Sequence, residues 1–352
     1  MSSQPIKIVA LPGDGIGPEV CEQAVRVLEL ICQGAGRPVE IIEMPMGGVA
    51  LDQGDAALPE RTKAAVLEAD AVLLGAVGLP KYDGVPGDRR PEEGLLDLRK
   101  ALGVYANLRP VRAIACLAEA SPLKSSLIEG ADLLVVRELL SGVYFGSPRG
   151  IDGDYGYNTM GYHADEVRRV ARIAFEAARK RNNRVMSVDK ANVLEVSQLW
   201  RRSVTELHQA EYSDVTLEHQ YVDSAAMDLI RNPRKFDVIV TGNMFGDILT
   251  DEASVLAGSI GLLASASLGD GAGLFEPIHG SAPDIAGKGI ANPIGAIGSV
   301  ASLLSSLEMN AEAERLERAI DKVLNDGHRT RDLGGDVSTE RMGSLICQAL
   351  QQ

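Results

Sequence analysis

The chain has 352 residues, 45% of them hydrophobic and 24% charged. That is the balance of a soluble globular protein long enough for two domains or one large α/β domain. A net charge of −14 excludes a sequence-independent grip on nucleic acid or an anionic membrane, since both need a basic surface.

From MSSQPIKIVA the chain goes straight into a strand-like run, without the basic region, apolar core and cleavage site of a signal peptide. The longest uncharged stretch, 253–269, is too short and too rich in Gly and Ser to span a membrane, so a cytoplasmic protein is expected. The first apolar run, IKIVAL (6–11), reads as a strand, and LPGDGIGPEV follows it. A dinucleotide-binding turn spaces its glycines G-x-G-x-x-G, for the bend, the approach of pyrophosphate and helix packing. Here the glycines are Gly13, Gly15 and Gly17, and the third fingerprint position is Pro18. The segment therefore predicts a strand–turn–helix without the fingerprint, and Pro18 suits the first helical turn, where a missing N–H orphans nothing. On that helix Cys21 and Cys32 stand about three turns apart, roughly 16 Å, too far for a disulfide. With Cys116 and Cys347 they are expected as free thiols in a reducing compartment.

Further strands are expected at 39–44, 70–77, 132–136, 184–189, 215–222 and 237–242, several continuously apolar as in a parallel sheet covered on both faces. Residues 164–180 carry apolar side chains at 167, 170, 171, 174, 177 and 178, the spacing of one buried helix face. This alternation of strands and helices points to the α/β class. The Gly- and Pro-dense stretch 268–298 is the least regular; it opens on a second turn, LGDGAG, and its length makes it a candidate functional segment.

Four constellations could carry chemistry. GNMFGDILTDE (242–252) puts Asp247 and Asp251 one turn apart on a helix face. Like charges there repel, a cost that a hard divalent cation reverses; a solvated acidic helix start accounts for them without a ligand. Arg99, Arg109 and Arg137 each lie in apolar surroundings, either as structural ion-pair partners or as planar forks for a substrate with more than one carboxylate. Tyr144 and Lys190 follow predicted strands, where ligand sites of open α/β sheets lie, and could act as acid and base if their pKa values shift. Amphipathic packing and a solvated ammonium are the ordinary alternatives. EPIHGSAPDIAGKGIANP (276–293) gathers His279, Gly280, Ser281, Asp284 and Asn292 in a loop able to offer N–H groups and short polar side chains to a nucleotide. Asp284 could accept both ribose hydroxyls and would repel a 2′-phosphate.

In that order, LPGDGIGPEV, GLLDLRKALGVYANLRP, VVRELLSGVYFG, VDKANVL, GNMFGDILTDEAS and EPIHGSAPDIAGKGIANP resemble the signature blocks of the β-decarboxylating dehydrogenases, the isocitrate/isopropylmalate dehydrogenase family. The resemblance runs from Ile6 to about Asp336. It implies a two-domain α/β fold on a large mixed sheet instead of a standard Rossmann fold. The cofactor-side domain would comprise 1–104 plus 257–352, and the substrate and dimerisation domain 105–256. It further implies that Arg99, Arg109 and Arg137 hold the malate carboxylates, and that Asp247 and Asp251 bind Mg²⁺ or Mn²⁺. A third ligand, Asp223, also facing the substrate, would come from the other subunit of a homodimer. Tyr144 matches the family's acid and Lys190 its base, the lysine again crossing from the other subunit. Ile16 would flank NAD, and His279, Gly280, Ser281, Ala282, Asp284, Ile285 and Asn292 would take its adenosine end.

Within the family, substrate choice turns on the segment before Arg99. Leu95 and Leu96, beside Glu92, imply an apolar pocket for a branched alkyl group. Burying isopropyl there contributes ~2 kcal/mol at about 0.8 kcal/mol per CH₂, and a third carboxylate would find no partner. Asp284-Ile285 implies NAD⁺, since NADP-using relatives carry a cation and an aromatic there. The implied reaction is oxidative decarboxylation of (2R,3S)-3-isopropylmalate to 4-methyl-2-oxopentanoate in leucine biosynthesis. Other readings are a 3-alkylmalate, tartrate/malate or homoisocitrate dehydrogenase, or a non-catalytic regulatory subunit of the family. Glu93 has no assigned role.

Overall fold

A computed structural model describes residues 4–85 and 89–352. Its strands are β1 (Ile6–Gly13), β2 (Val39–Glu43), β3 (Ala71–Ala76), β4 (Val104–Arg112), β5 (Asp132–Glu138), β6 (Arg149–Asp152), β7 (Tyr155–Asn158), β8 (Arg184–Asp189), β9 (Thr216–Tyr221), β10 (Val238–Thr241), β11 (Ala264–Gly269) and β12 (Gly273–Pro277). Ten form one mixed sheet in the order β2-β1-β3-β12-β11-β4-β5-β10-β8-β9, and β6 pairs with β7 in a separate hairpin. This is the expected α/β fold with a large mixed sheet. By compactness the chain divides into Met1–Val104 with Gly258–Gln352, and Tyr105–Ala257.

In the first unit β1 runs parallel between β2 and β3, β12 lies parallel beside β3, and β11 turns back antiparallel on β12. LGDGAG is the bend of that β11–β12 hairpin, where Ser267 faces Leu274. Helix Gly17–Gly34 has Pro18 in its first turn and buries Val20, Ala24, Val27, Leu28 and Ile31 together with Cys21 and Cys32. Those two and the remaining two cysteines are free thiols. The Gly-Asp-Gly turn between β1 and this helix is a strut. Gly13 has φ +71°, and a Cβ there would come within 2.0 Å of the Ala76 carbonyl oxygen, so only glycine lets β1 end against β3. The buried Asp14 carboxylate accepts from the N–H groups of Gly48 (2.8 Å), Val49 (2.8 Å) and Gly78 (2.9 Å), tying down the backbone beyond β2 and β3.

In the second unit β4 is antiparallel to β5, and β5, β10, β8 and β9 run parallel. The period of two sends alternate side chains of the buried strands into two cores. Leu134, Val136, Val238 and Val240 join one core with Val170, Ala174 and Phe175 of helix Ala164–Arg179 and Trp200 of helix Glu195–Glu211. Leu133, Val135 and Ile239 join the other with Leu229 of helix Val222–Arg231 and Leu249, Ala253 and Leu256 of helix Asn243–Ala257. On helix Ala164–Arg179 the buried face takes in Phe175, stacked on Tyr212 at 4.8 Å, while Ala177 is half-buried.

Candidate active site

Helix Asn243–Ala257 starts directly after β10, and its second and third turns present Asp247 and Asp251. Arg137, at the end of β5, is buried and donates through Nη1 to Asp247 Oδ1. Tyr144 donates its hydroxyl to the other Asp247 oxygen at 2.8 Å. Arg109 on β4, also buried, donates to Asn107 Oδ1 (2.7 Å) and Thr250 Oγ1 (2.6 Å), and its guanidinium stands 3.7 Å from Asp247 and 3.8 Å from Asp251. Five of the residues singled out in the sequence thus meet in one cluster.

Electrostatics divide the two carboxylates. Burial pushes the Asp247 carboxyl up, but Arg137, the Tyr144 hydroxyl and Arg109 together outweigh it and hold the group below the usual carboxylate range. Asp251 is raised, by burial first and by the neighbouring Asp247 charge, against the pull of Arg109. The Tyr144 hydroxyl is raised by its burial and by its bond to Asp247, so it keeps its proton. Ionised carboxylate oxygens suit a hard divalent cation. Among the described residues, however, no three His, Cys, Asp or Glu side chains come together as a metal site. Within one chain the acidic set is therefore the Asp247–Asp251 pair, and Asp223 does not join it.

Asp223 is instead the partner of Lys190, whose Nζ lies 2.5 Å from Asp223 Oδ1. The lysine follows β8, and its backbone N–H donates to Ser197 Oγ at 3.2 Å. The preceding buried Asp189 is fixed by both Arg201 nitrogens at 2.9 Å. Bonded to Lys190, the Asp223 carboxyl sits below its ordinary value.

In the other unit, helix Pro91–Leu102 carries half-buried Leu95 and Leu96, with Arg99 one turn on and buried. Arg99 Nη2 pairs with Glu276 Oε1 of β12 at 2.9 Å, while its buried Nε has no partner among the described residues. Glu92 is exposed and Glu93 half-buried on the first turn.

The segment after β12 folds over a cleft of about 490 Å³. Ile16, His279, Ala282, Ile285 and Asn292 line it. Gly280, Ser281 and Asp284 do not. The Ser281 carbonyl accepts the Ile16 N–H at 2.8 Å, the Gly280 carbonyl accepts from His279 Nδ1 at 2.9 Å, and Asp284 is exposed. Burial holds the His279 ring neutral. With its proton on Nδ1 the ring leaves Nε2 as a buried acceptor without a donor among the described residues, which fits a nucleotide amino or hydroxyl group. The cleft also takes in Ile260, Lys288, Arg331 and Asp332. Asp332, forty residues beyond Asn292, accepts from Asn292 Nδ2 at 3.0 Å and from Ser259 Oγ. No local pattern signals it.

Comparison with known proteins bears on what this arrangement serves. The model of the isocitrate/isopropylmalate dehydrogenase family matches residues 7–346. The chain belongs to that family. A Salinibacter ruber relative named 3-isopropylmalate dehydrogenase is 57% identical over 329 residues, covering 94% of this chain and 90% of its own. One of the same name from Wolinella succinogenes is 53% identical over 346 residues, covering 97% and 96%. The crystal structure of isocitrate dehydrogenase from Methylococcus capsulatus superposes with a TM-score of 0.86 at 33% identity, over 98% of this chain and 99% of that one. A protein named isocitrate dehydrogenase thus shares this chain's architecture, while these two relatives of higher identity are named 3-isopropylmalate dehydrogenase.

Proposed function

We propose that this protein oxidises and decarboxylates (2R,3S)-3-isopropylmalate to 4-methyl-2-oxopentanoate with NAD⁺, in the cytoplasm, as a step of leucine biosynthesis. The observation that carries the substrate is the half-buried Leu95–Leu96 pair one turn before buried Arg99. An apolar wall beside a carboxylate-binding cation matches a malate with a branched alkyl group, and it leaves a third carboxylate unpaired. The relatives' name agrees with this reading.

Arg99, Arg109 and Arg137 hold the two malate carboxylates, and Asp247 and Asp251, completed by Asp223 of the partner subunit, hold Mg²⁺ or Mn²⁺. When bound, the metal supplies Lewis acidity at the 2-hydroxyl and NAD⁺ supplies a hydride acceptor. Lys190 takes the hydroxyl proton as carbon 2 is oxidised to a ketone. That ketone is β to the carboxylate on carbon 3, so the C–C bond breaks, CO₂ leaves, and its electron pair passes into the enolate. Tyr144, kept protonated beside Asp247, returns a proton to carbon 3. The adenosine end of the cofactor occupies the cleft under His279. Asp284 favours NAD⁺ but does not line this cleft, whereas Lys288 and Arg331, which do, are cations a 2′-phosphate would seek, so the two cofactors must be compared directly.

Exposed apolar side chains support a homodimer with a shared site. Val193, Met227 and Ile248 are 61%, 53% and 59% exposed, and each lies within four residues of Lys190, Asp223 or Asp247. Hairpin β6–β7 projects Ile151 and Tyr155, 85% and 68% exposed, and a lone hairpin is marginal in water. Among the described residues no helix is long and apolar enough to cross a membrane.

The test is reduced-cofactor formation from 3-isopropylmalate, isocitrate and malate, with NAD⁺ or NADP⁺, before and after chelation of divalent metal. We expect turnover of 3-isopropylmalate with NAD⁺ that chelation abolishes. Good isocitrate turnover with none on 3-isopropylmalate would overturn the substrate.

A further inference from the structure

Helix Asn243–Ala257 begins with a side chain that no step above uses. Asn243 is wholly buried, one residue beyond Gly242 at the end of β10. Its Oδ1 accepts two hydrogen bonds from Arg137, from Nε at 2.9 Å and Nη2 at 2.7 Å. Its Nδ2 donates to the carbonyls of Leu139 and Ser141, both at 3.1 Å. Its backbone N–H donates to the Tyr162 hydroxyl at 2.8 Å. Both acceptor sites and both donors of the amide are thus engaged, the acceptor on Arg137 and the donors on the backbone that leads from Arg137 to Tyr144.

That backbone is held elsewhere too. The Gly142 N–H donates to the Gly161 carbonyl at 3.1 Å, and Gly142 has φ +78° with the Tyr162 hydroxyl where a Cβ would stand. Ser141 Oγ donates to Glu166 at 2.8 Å. Asn243 touches both the Arg137 fork and the backbone of this loop. The two ends meet again on Asp247, whose oxygens take Arg137 Nη1 and the Tyr144 hydroxyl. The result is a closed ring of contacts through Arg137, Asn243, the 139–144 backbone, Tyr144 and Asp247.

We infer that Asn243 is a positioning residue that couples the grip of Arg137 on a substrate carboxylate to the placement of the Tyr144 hydroxyl. The inference rests on the roles proposed above for those two residues. An amide is the side chain that does this. Aspartate would keep the acceptor for Arg137 but set an oxygen against two carbonyls, and alanine would take the acceptor from Arg137 Nε and Nη2 and the donor from both carbonyls in a buried place.

The experiment compares Asn243→Ala, Asn243→Asp, Tyr144→Phe, the double variant N243A/Y144F and Arg137→Lys, each as purified enzyme with NAD⁺ and Mg²⁺. It reads kcat, KM for 3-isopropylmalate, 4-methyl-2-oxopentanoate formed per NADH, and Tm. We expect Asn243→Ala to raise KM and lower kcat about tenfold or more each. Asn243→Asp should lower kcat as far while raising KM less. In the Tyr144→Phe background the alanine substitution should lower kcat by no more than about twofold while still raising KM, because its effect on turnover runs through the hydroxyl already removed. The inference is overturned if Asn243→Ala lowers kcat by the same factor with and without that hydroxyl. It is overturned equally if only Tm changes, or if neither Asn243 variant folds, since Asn243 would then belong to the core alone. An unchanged KM in Arg137→Lys, with unchanged kcat and product yield in Tyr144→Phe, would instead locate the failure in the underlying roles, and the coupling would fall with them.

Discussion

Glu138, the last residue of β5, sits beside Arg137 with its carboxyl fully buried. Burial pushes this group up to about 7, against the N–H groups of Leu140 and Ser141 that bond it at 2.9 Å and the Arg169 guanidinium 3.9 Å away. An unfolded carboxyl releases its proton near the model-peptide value of 4.5. Between that pH and about 7 the folded chain holds the proton that the unfolded chain has lost, so stability falls as pH rises. Above the folded value the whole cost is present, roughly 3 kcal/mol at 1.36 kcal/mol per pKa unit. Glu138→Gln keeps an acceptor for one of the two N–H groups, sets its NH₂ against the other, and cannot titrate. Wild type should therefore lose about that much stability relative to Glu138→Gln between pH 4.5 and pH 8, as read from urea midpoints. Parallel pH profiles would show that Glu138 ionises without strain in the fold. At the leucine pair, replacing both Leu95 and Leu96 by Ser removes the apolar wall. With ~2 kcal/mol at stake, kcat/KM for 3-isopropylmalate should fall about 30-fold while that for malate holds; an equal fall for both substrates would mean the leucines only support the helix.

At the scale of elements, the contact of helix Asn243–Ala257 with β5 sets the active-site spacing, and Gly246 is its narrowest point. A Cβ there would come within 2.7 Å of Arg137 Cγ, 2.8 Å of its Cβ and 3.2 Å of its Cδ. Alanine improves helix propensity by about 1 kcal/mol, but the clash is with the fixed stem of a buried side chain, where overpacking costs about 1–3 kcal/mol. The clash wins, and relief comes by moving Arg137. Gly246→Ala should raise KM for 3-isopropylmalate about tenfold or more with a modest change in Tm; an unaltered KM would show that the helix shifts bodily instead.

The same element shows which parts of the fold were legible in sequence. All seven strand-like apolar runs became strands; β1, β3, β5, β8 and β10 did so because a strand covered on both faces writes its burial into consecutive residues, whereas the edge strands β2 and β9 are largely half-buried or exposed. β4 left no such trace: VYANLRPVR contains Asn107 and Arg109, buried by partners such as Thr250, 141 residues after Arg109. β11 and β12 were equally hidden, the first being ASASLG in a stretch of small residues. The site divided in the same way. Asp247 and Asp251 declared themselves by their one-turn spacing on a helix, and the arginines by charge in apolar surroundings. Asn243, Thr250 and Asp332 are reached by partners far away in sequence, such as Arg137, Arg109 and Asn292, and local pattern cannot report those contacts.

For the whole molecule, the question is how many chains one site needs. Tyr144, Arg109, Arg137, Asp247 and Asp251 form one cluster in a chain, and Lys190 with Asp223 forms a separate pair. The second pair is short, exposed on its carboxylate side, and close in sequence to exposed Val193 and Met227. If two chains are needed, each site combines the cluster of one subunit with the pair of the other. Lys190→Ala and Asp247→Asn should then each be inactive as homodimers. When the two are co-expressed, half the dimers are mixed, and each mixed dimer assembles one site carrying both substitutions and one carrying neither. Activity should return to roughly a quarter of wild type per dimer, as two-fold symmetry requires. A site built within one chain gives a different result, since every site in the mixed dimer then carries one lesion and no activity returns. Tagging each variant separately and assaying the doubly tagged fraction, expected at about half of wild-type activity, decides between the two.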